Sequence, residues 1–582
     1  MFVQLLPGGN RHLSKMYDAA TQLLQHLPLF SQLPLAAMQA LDAAFLSPAA
    51  PVQRSVATSR SLERSASSRV ASKPVGNALA PAALAVGTLL GATAAYRGAQ
   101  RSKASKARRR QGPPATTLNP EEDVKTDSWG EKFVWQKAWY PMAVIEDLDG
   151  TRPTKLQLLG EDLVAWVDGD GEWRVFEDRC PHRAVPLSEG RIEKDGTLMC
   201  SYHGWRFNGE GKVTAIPQAT EEKFPELQQN ARACAAARPA QVRCGVLWVW
   251  GESGENAALE AALQEPNIPP EAEDPAYEGR AKFSVWSHRD VPYGWEVAFE
   301  NVTDPAHVAV AHHNIVSNRY EDPCPLKIDW VRKPSNKEGF KYTIEQVGKN
   351  IVSTMDFKPP SQMHIRTSYD DKSGASLTLI INFVPTKPGW SRLVGTTQII
   401  LGENGEKPDG FAIYSAPLPR WVSHLLGPLF LHQDQVFLHY QQIILEKERR
   451  KHGNDWMQAY WMPTEADKGT IALRRWLDKN GGIAWSPGVD TDMAAMPDKH
   501  LLFDTYKTHT SQCTSCQKAL RWTNRLNKVF KYSALACVSA GIVGTVSWPL
   551  VASGAALGGA TLATEKVRKM FYEVPFHHQD ND

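Results

Sequence analysis

The sequence predicts an α+β protein. A small all-β domain precedes a larger domain of antiparallel sheet and helices, and a C-terminal hydrophobic helical hairpin closes the chain. Three observations predict this order. Residues 133–251 hold short alternating apolar runs broken by the turns Asp147-Leu-Asp-Gly150, Asp168-Gly-Asp-Gly171 and Asn208-Gly-Glu-Gly211, the pattern of a small antiparallel β domain. Residues 281–500 mix strand-like runs, such as 376–384, with helical ones, such as 434–450. Residues 532–564 carry no charge over 33 positions, with Pro549 near the middle.

Residues 1–125 stand apart from the rest. They are rich in Ala, Ser, Leu and Arg, and before residue 119 the only acids are Asp18, Asp42 and Glu63. This is the composition of an organellar transit region with its linker, largely disordered and outside the fold. Within it, the apolar run 78–96 precedes the basic run 101–110, as a membrane span or a second targeting element would. At 582 residues the chain has room for two to four domains. A net charge of +2 gives no support to nucleic-acid binding. Nineteen tryptophans suit an aromatic-lined site or a membrane interface. Eight cysteines without a pairing pattern are not a secreted disulfide framework.

The all-β domain, residues 130–252, carries Cys180-Pro-His182 and, after 17 intervening residues, Cys200-Ser-Tyr-His203. Two thiolates on one iron and two imidazoles on the other are the ligand set of a Rieske [2Fe–2S] cluster. The rival is structural zinc, which also takes Cys2His2, but C-x-H is tighter than most zinc spacings. Pro181 and Gly204 suit tight turns that aim backbone N–H groups at cluster sulfurs. The stretches 176–192 and 200–207 resemble the ligand loops of Rieske oxygenases. Neither has the extra cysteine of the cytochrome-complex Rieske proteins.

The second domain, residues 281–500, contains Asp304-Pro-Ala-His307 and then His312-His313. Two histidines and one carboxylate on a face of Fe(II) leave positions open for O2 and substrate, and D-x-x-H-x-x-x-x-H resembles the Rieske oxygenase iron motif. On a helix His307 and His312 stand about 140° apart, so they converge only if the helix bends or ends between them. His313 is a rival for His312. The resemblance selects Asp434 as the third ligand, with His432 and His439 as alternatives by chemistry alone. It also implies that Asp304 links a cluster histidine of one subunit to His307 of the next in a homotrimer. An Asp-Pro helix start is a second role for the same residue.

Residues 501–582 hold Cys513-Thr-Ser-Cys516 and the uncharged stretch, flanked by Arg521, Arg525, Lys528 and Lys531 before it and Lys566, Arg568 and Lys569 after it. Positive charge at both ends predicts a membrane hairpin with its ends on one side; the many Gly, Ala and Ser residues keep a buried helical pair as the alternative. Cys513 and Cys516 read as a redox pair open to thioredoxin-type exchange, with half a zinc site or coincidence as the alternatives. The absence of a second pair nearby argues against zinc. Together these features resemble the group that contains pheophorbide a oxygenase, chlorophyllide a oxygenase, the protochlorophyllide-dependent translocon component and the translocon-associated Rieske protein. The resemblance implies a helix-grip catalytic domain, a [2Fe–2S] cluster and mononuclear non-haem Fe(II). It further implies a monooxygenase that takes electrons from ferredoxin and acts with O2 on a chlorophyll-derived tetrapyrrole at a plastid envelope or thylakoid membrane. The rivals are a chlorophyllide a or protochlorophyllide oxygenase, a redox sensor of a protein-import complex, and an electron-transfer subunit alone.

Overall fold

The structure, a computed structural model, describes residues 129–348, 352–368, 373–453, 456–491, 499–543 and 545–581. The expected transit region, residues 1–125, and the run 78–96 within it lie outside the described residues. Within the first domain, three small antiparallel sheets surround the ligand loops. Trp139–Val144 and Ala240–Arg243 flank Val246–Trp250. Thr154–Leu158, Glu161–Val167, Trp173–Glu177 and Ala237–Arg238 pair in that order. The third sheet, Arg191–Ile192, Leu198–Met199, Arg206–Phe207 and Val213–Ala215, makes the Cys200 loop the turn of a hairpin. Its core holds Val164, Trp166, Phe176, Leu187, Leu198, Phe207 and Val213, with Cys180 and Cys200 buried among them.

The second domain is built on one antiparallel sheet. Its order is Ala281–Phe283, Trp390–Ile400, Ser376–Lys387, Gln362–Ser368, Val352–Lys358, Gly339–Gln346 and Leu326–Ser335, and Ser287–Val291 also pairs with Trp390–Ile400. The Ser376–Lys387 strand is buried on both faces except at its last residue. Helices cover part of it, and the first domain docks on its end, where Leu159 and Gly160 donate their N–H groups to the carbonyls of Pro385 and Thr386. This explains why 376–384 reads as a near-continuous apolar run. Several tryptophans serve the core instead of lining a site. Trp135, Trp295 and Trp476 pack edge-on or tilted on one another, at 5.2–6.0 Å between centroids, and all three are fully buried.

Helix Trp295–Thr303 buries Glu300, which meets Arg474 of helix Lys468–Lys479. Tyr460 Oη donates to the same carboxylate at 2.8 Å, as does Gln441 of the long helix at 3.1 Å. One buried carboxylate thus joins three helices behind the iron motif.

The helix expected over 434–450 runs from Arg420 to His452, straight through Pro428. Proline has no N–H to give the carbonyl four residues back. That carbonyl belongs to His424, and the buried Arg289 guanidinium takes it at 3.3 Å. A tertiary partner replaces the lost helical bond, so the helix continues.

At the C-terminus, Thr514–Ile542 and Trp548–Met570 pair antiparallel, Asn527 reaching the Thr561 carbonyl at 2.9 Å. Gly541 and Gly554 lie against Val551 and Val538 of the opposite helix. The expected membrane-spanning hairpin is not what forms: among the described residues no helix is long and apolar enough to cross a membrane. The charge-free part of the first helix, residues 532–542, covers 11 positions and that of the second, residues 548–564, covers 17. A span needs about 20 strongly apolar residues, and here Gly, Ala, Ser and Thr dilute the pattern.

Replacing Glu300 by Ala leaves the buried Arg474 with Glu296, at 3.1 Å, as its acidic partner among the described residues. Losing one member of such a pair costs about 3–5 kcal/mol. Denaturant unfolding of E300A should show a loss near the lower end of that range, and an unchanged midpoint would refute the clamp.

Candidate metal centres

The two ligand loops fold alike. The carbonyls of Cys180 and Cys200 accept from the N–H groups of Ala184 and Gly204, at 2.9 and 3.0 Å, and the cysteine N–H groups donate to Val185 and Trp205. Ala184 and Gly204 both take positive φ, 57° and 74°. The turn therefore needs left-handed backbone at its fifth residue, and Gly204 supplies it without steric cost. A Cβ at Gly204 would come within 3.1 Å of Pro217 Cγ.

The loops separate the four donors by type. Cys180 and Cys200 are buried side by side. Burial pushes the Cys180 thiol up to about 11; the backbone N–H groups of His182 and Arg183 pull it down, and the adjacent Cys200 adds to the rise. His182 is exposed and His203 partly so, their rings 4.5 Å apart, with Trp205 stacked on His182 at 4.8 Å. The four ligand atoms do not all lie within 4.8 Å of one another, unlike two other groups among the described residues. Two thiols inside and two imidazoles outside suit a pair of irons, and a single tetrahedral zinc would need one tight quartet.

In the second domain, His307, His312 and Asp434 each present a ligand atom within 4.8 Å of the others. The short helix His307–Ala311 ends just before His312, whose backbone (φ −91°, ψ 33°) is no longer helical. Asn314 follows with φ 63°. The end of the helix turns His312 back toward His307, the condition that the five-residue spacing demanded. Asp434 arrives from the long helix, its Oδ2 3.2 Å from His312 Nε2.

Neighbours fix each group. His312 Nδ1 bonds Gln433 Oε1 at 2.9 Å, and Phe430 stacks on its ring at 3.8 Å. His307 Nδ1 bonds the Asp304 carbonyl at 2.6 Å and lies 3.6 Å from its carboxylate. Each Nδ1 is thereby engaged, which leaves Nε2 to face the centre. Burial alone would raise the Asp434 carboxyl. His312 and His307, with a hydrogen bond from Asn301, more than offset it and hold the group below the usual carboxylate range. Burial lowers His307, but Asp304 and Asp434 reverse the effect and raise it.

The rival residues face elsewhere. His313 Nδ1 accepts from the Arg319 N–H at 3.1 Å. His432 and His439 each bond a backbone carbonyl, of Val574 and Pro292, at 2.6 Å. Asp304 is not the cap of the helix, a position held by Ala306, but its Oδ1 accepts from the Ala306 N–H at 2.8 Å. The Asp304 side chain keeps about a third of its surface exposed. Gln433 and Asn301 were not singled out in the sequence, although each adjoins a motif that was. Cys513 and Cys516 meet His424 and His509 in a second buried group.

Residues 138–230 match the Rieske [2Fe-2S] domain and residues 357–452 match pheophorbide a oxygenase. The chain is 34% identical to the chloroplastic pheophorbide a oxygenase of Oryza sativa subsp. japonica, over 79% of its own length and 88% of that protein's. It belongs to the pheophorbide a oxygenase family. Flavonoid 8-hydroxylase 2 of Ocimum basilicum is 31% identical over 75% of this chain and 83% of its own. Protochlorophyllide-dependent translocon component 52 of Arabidopsis thaliana is 31% identical over 72% and 79%. The protein is accordingly a Rieske non-haem iron oxygenase, with a [2Fe–2S] cluster and mononuclear iron as cofactors. All three of these relatives are chloroplastic proteins. The Rieske match spans both ligand loops, and the second match includes Asp434.

Gln433→Leu removes the acceptor on His312 Nδ1 while keeping side-chain volume. Removing such a supporting partner lowers metal affinity about 10–100-fold. Fe(II) titration of the purified variant should show that loss with the [2Fe–2S] absorption unchanged; wild-type affinity would refute the role.

Proposed function

We propose that this oxygenase is a monooxygenase that inserts oxygen from O2 into a chlorophyll-derived tetrapyrrole, with ferredoxin as electron donor. The convergence of His307, His312 and Asp434 carries the catalytic part of this reading, and similarity to the rice pheophorbide a oxygenase supports the substrate class. In this proposal Cys180, His182, Cys200 and His203 hold the cluster, and His307, His312 and Asp434 hold the iron. When bound, the cluster supplies single electrons and the iron a place where O2 is activated.

The protein's own residues do the positioning. Gln433 and the Asp304 carbonyl lock the two imidazoles in the ligating tautomer. The cluster histidines, His182 exposed and His203 partly so, offer N–H groups at the surface. Asp304, partly exposed beside His307, accepts one from a second chain, so the active form is a homotrimer in which each cluster serves a neighbour's iron.

The C-terminal hairpin attaches the enzyme to a plastid membrane without crossing it. Its tip exposes Ile542, Val543, Val546 and Trp548, at 59, 79, 54 and 74%. Basic residues from Lys518 to Lys531 lie toward the other end. An apolar tip above a basic collar suits insertion into the lipid interface. Residues 1–125 act as the import leader.

The anaerobic, reduced protein should contain about three irons and two sulfides per chain. Single turnover under labelled O2 with pheophorbide a should transfer label to the tetrapyrrole. Label transfer to a flavonoid alone would reassign the substrate. About two irons and two sulfides, with no further uptake of Fe(II), would point instead to a redox sensor. Mixed Cys180→Ser and Asp434→Ala chains, each inactive alone, should regain turnover if electrons cross between subunits; no recovery in a mixed trimer counts against the bridge. Flotation with vesicles of plastid lipids should recover the wild type at the top and leave Val543→Asp/Trp548→Asp at the bottom. Equal flotation of both would show that the tip makes no contact.

A further inference from the structure

Cys513 and Cys516 form the first turn of helix Thr514–Ile542, Cys513 as its cap and Cys516 donating its N–H to the Cys513 sulfur at 3.4 Å. The second pair that the sequence lacked comes from elsewhere and is made of histidines. His424 arrives from the start of the long helix, and His509 from the turn Tyr506–Thr510. All four residues are at most 3% exposed.

Their ligand atoms are spaced as a tetrahedral ion would space them. His424 Nδ1 lies 3.5 Å from each sulfur, His509 Nε2 3.4 Å from Cys516 Sγ, and the two nitrogens stand 3.0 Å apart. Zinc with bonds of about 2.3 Å to sulfur and 2.0–2.1 Å to nitrogen sets nitrogen–sulfur edges near ~3.5 Å and nitrogen–nitrogen edges near ~3.3 Å. An outer partner aims one of the rings. His509 Nδ1 bonds the His288 carbonyl at 2.6 Å, which leaves Nε2 facing the sulfurs. His424 Nε2 lies 3.8 Å from Asp147 Oδ2, too far for a hydrogen bond, so a carboxylate stands near this ring without fixing its tautomer.

We propose that His424, His509, Cys513 and Cys516 bind a structural zinc ion. Four protein donors close the site, so it offers no open position for chemistry. Its work is mechanical. It fastens the base of the C-terminal hairpin to the start of the helix that carries Asp434, beside Asp147 of the first domain. Leu425, Ala519, Leu520 and Phe571 pack around it. The burial of both sulfurs also sets this reading against the redox pair, because a thioredoxin-type partner must reach a sulfur to exchange with it.

The full chain, purified without chelator, should carry about one zinc in addition to its iron. X-ray absorption at the zinc edge should show two sulfurs at about 2.3 Å and two nitrogens at about 2.0–2.1 Å. Zinc in a sulfur-free shell would place it elsewhere, for instance on His307, His312 and Asp434, and overturn the proposal. Absence of zinc would overturn it too, whether mass spectrometry then finds Cys513 and Cys516 as a disulfide or as free thiols. Cys516→Ser and His509→Ala should lose the zinc and Cys537→Ser should retain it. Should the first two not fold, cobalt exchange into the wild type decides. Thiolate-to-cobalt charge-transfer bands support the site, and their absence overturns it.

Discussion

The bond between His312 Nδ1 and Gln433 Oε1 ties together two segments 121 residues apart in the chain. Without it, the iron motif is a short helix that ends in a turn, and Asp434 is one acid on a long helix. With it, the face of the long helix that carries Gln433 and Asp434 is registered against the exact point where the short helix stops. The surrounding fold serves that registration. The buried Glu300–Arg474 pair holds the preceding helix from behind, and Gln442 of the long helix bonds the Gly294 N–H at 2.7 Å. A centre whose donors come from two segments is only as well defined as their docking, and here each side of the docking has a polar anchor within the apolar core.

The first domain solves a different problem. Its ligand loops need no distant partner, because each closes on itself through the same pair of backbone bonds. Local closure lets the loops set a polarity that the sequence does not spell out, with sulfurs toward the core and imidazoles toward solvent. Cys180 and Cys200 are thereby kept away from water, while His182 and His203 keep their rings at or near the surface.

Much of this was legible in the chain, and the reasons differ by residue. Cys180, His182, Cys200 and His203, proposed to hold the cluster, are close in sequence, and their spacing is what makes them readable. His307 and His312 could be read with the condition that the helix must end between them, and it ends at Ala311. Asp434 came from resemblance alone, since no spacing rule spans so long a gap. Gln433 and Asn301 carry no pattern of their own, and their roles exist only once the helices dock. The C-terminal stretch misled because absence of charge was read as hydrophobicity. Its Gly and Ala residues let two helices approach closely, which is a packing property and not a lipid one. His424 and His509 could not be matched to Cys513 and Cys516, because nothing in sequence marks a histidine 89 residues upstream of its neighbour in space.

Pro428 and Arg289 look unrelated in the chain, one a defect in a helix and the other a charge inside a core. They are two halves of one device. The proline leaves the His424 carbonyl without its helical donor, and the buried guanidinium supplies one. A charge inside the core thus repairs a gap in a helix, and the cost of burying the one is offset in part by the need of the other.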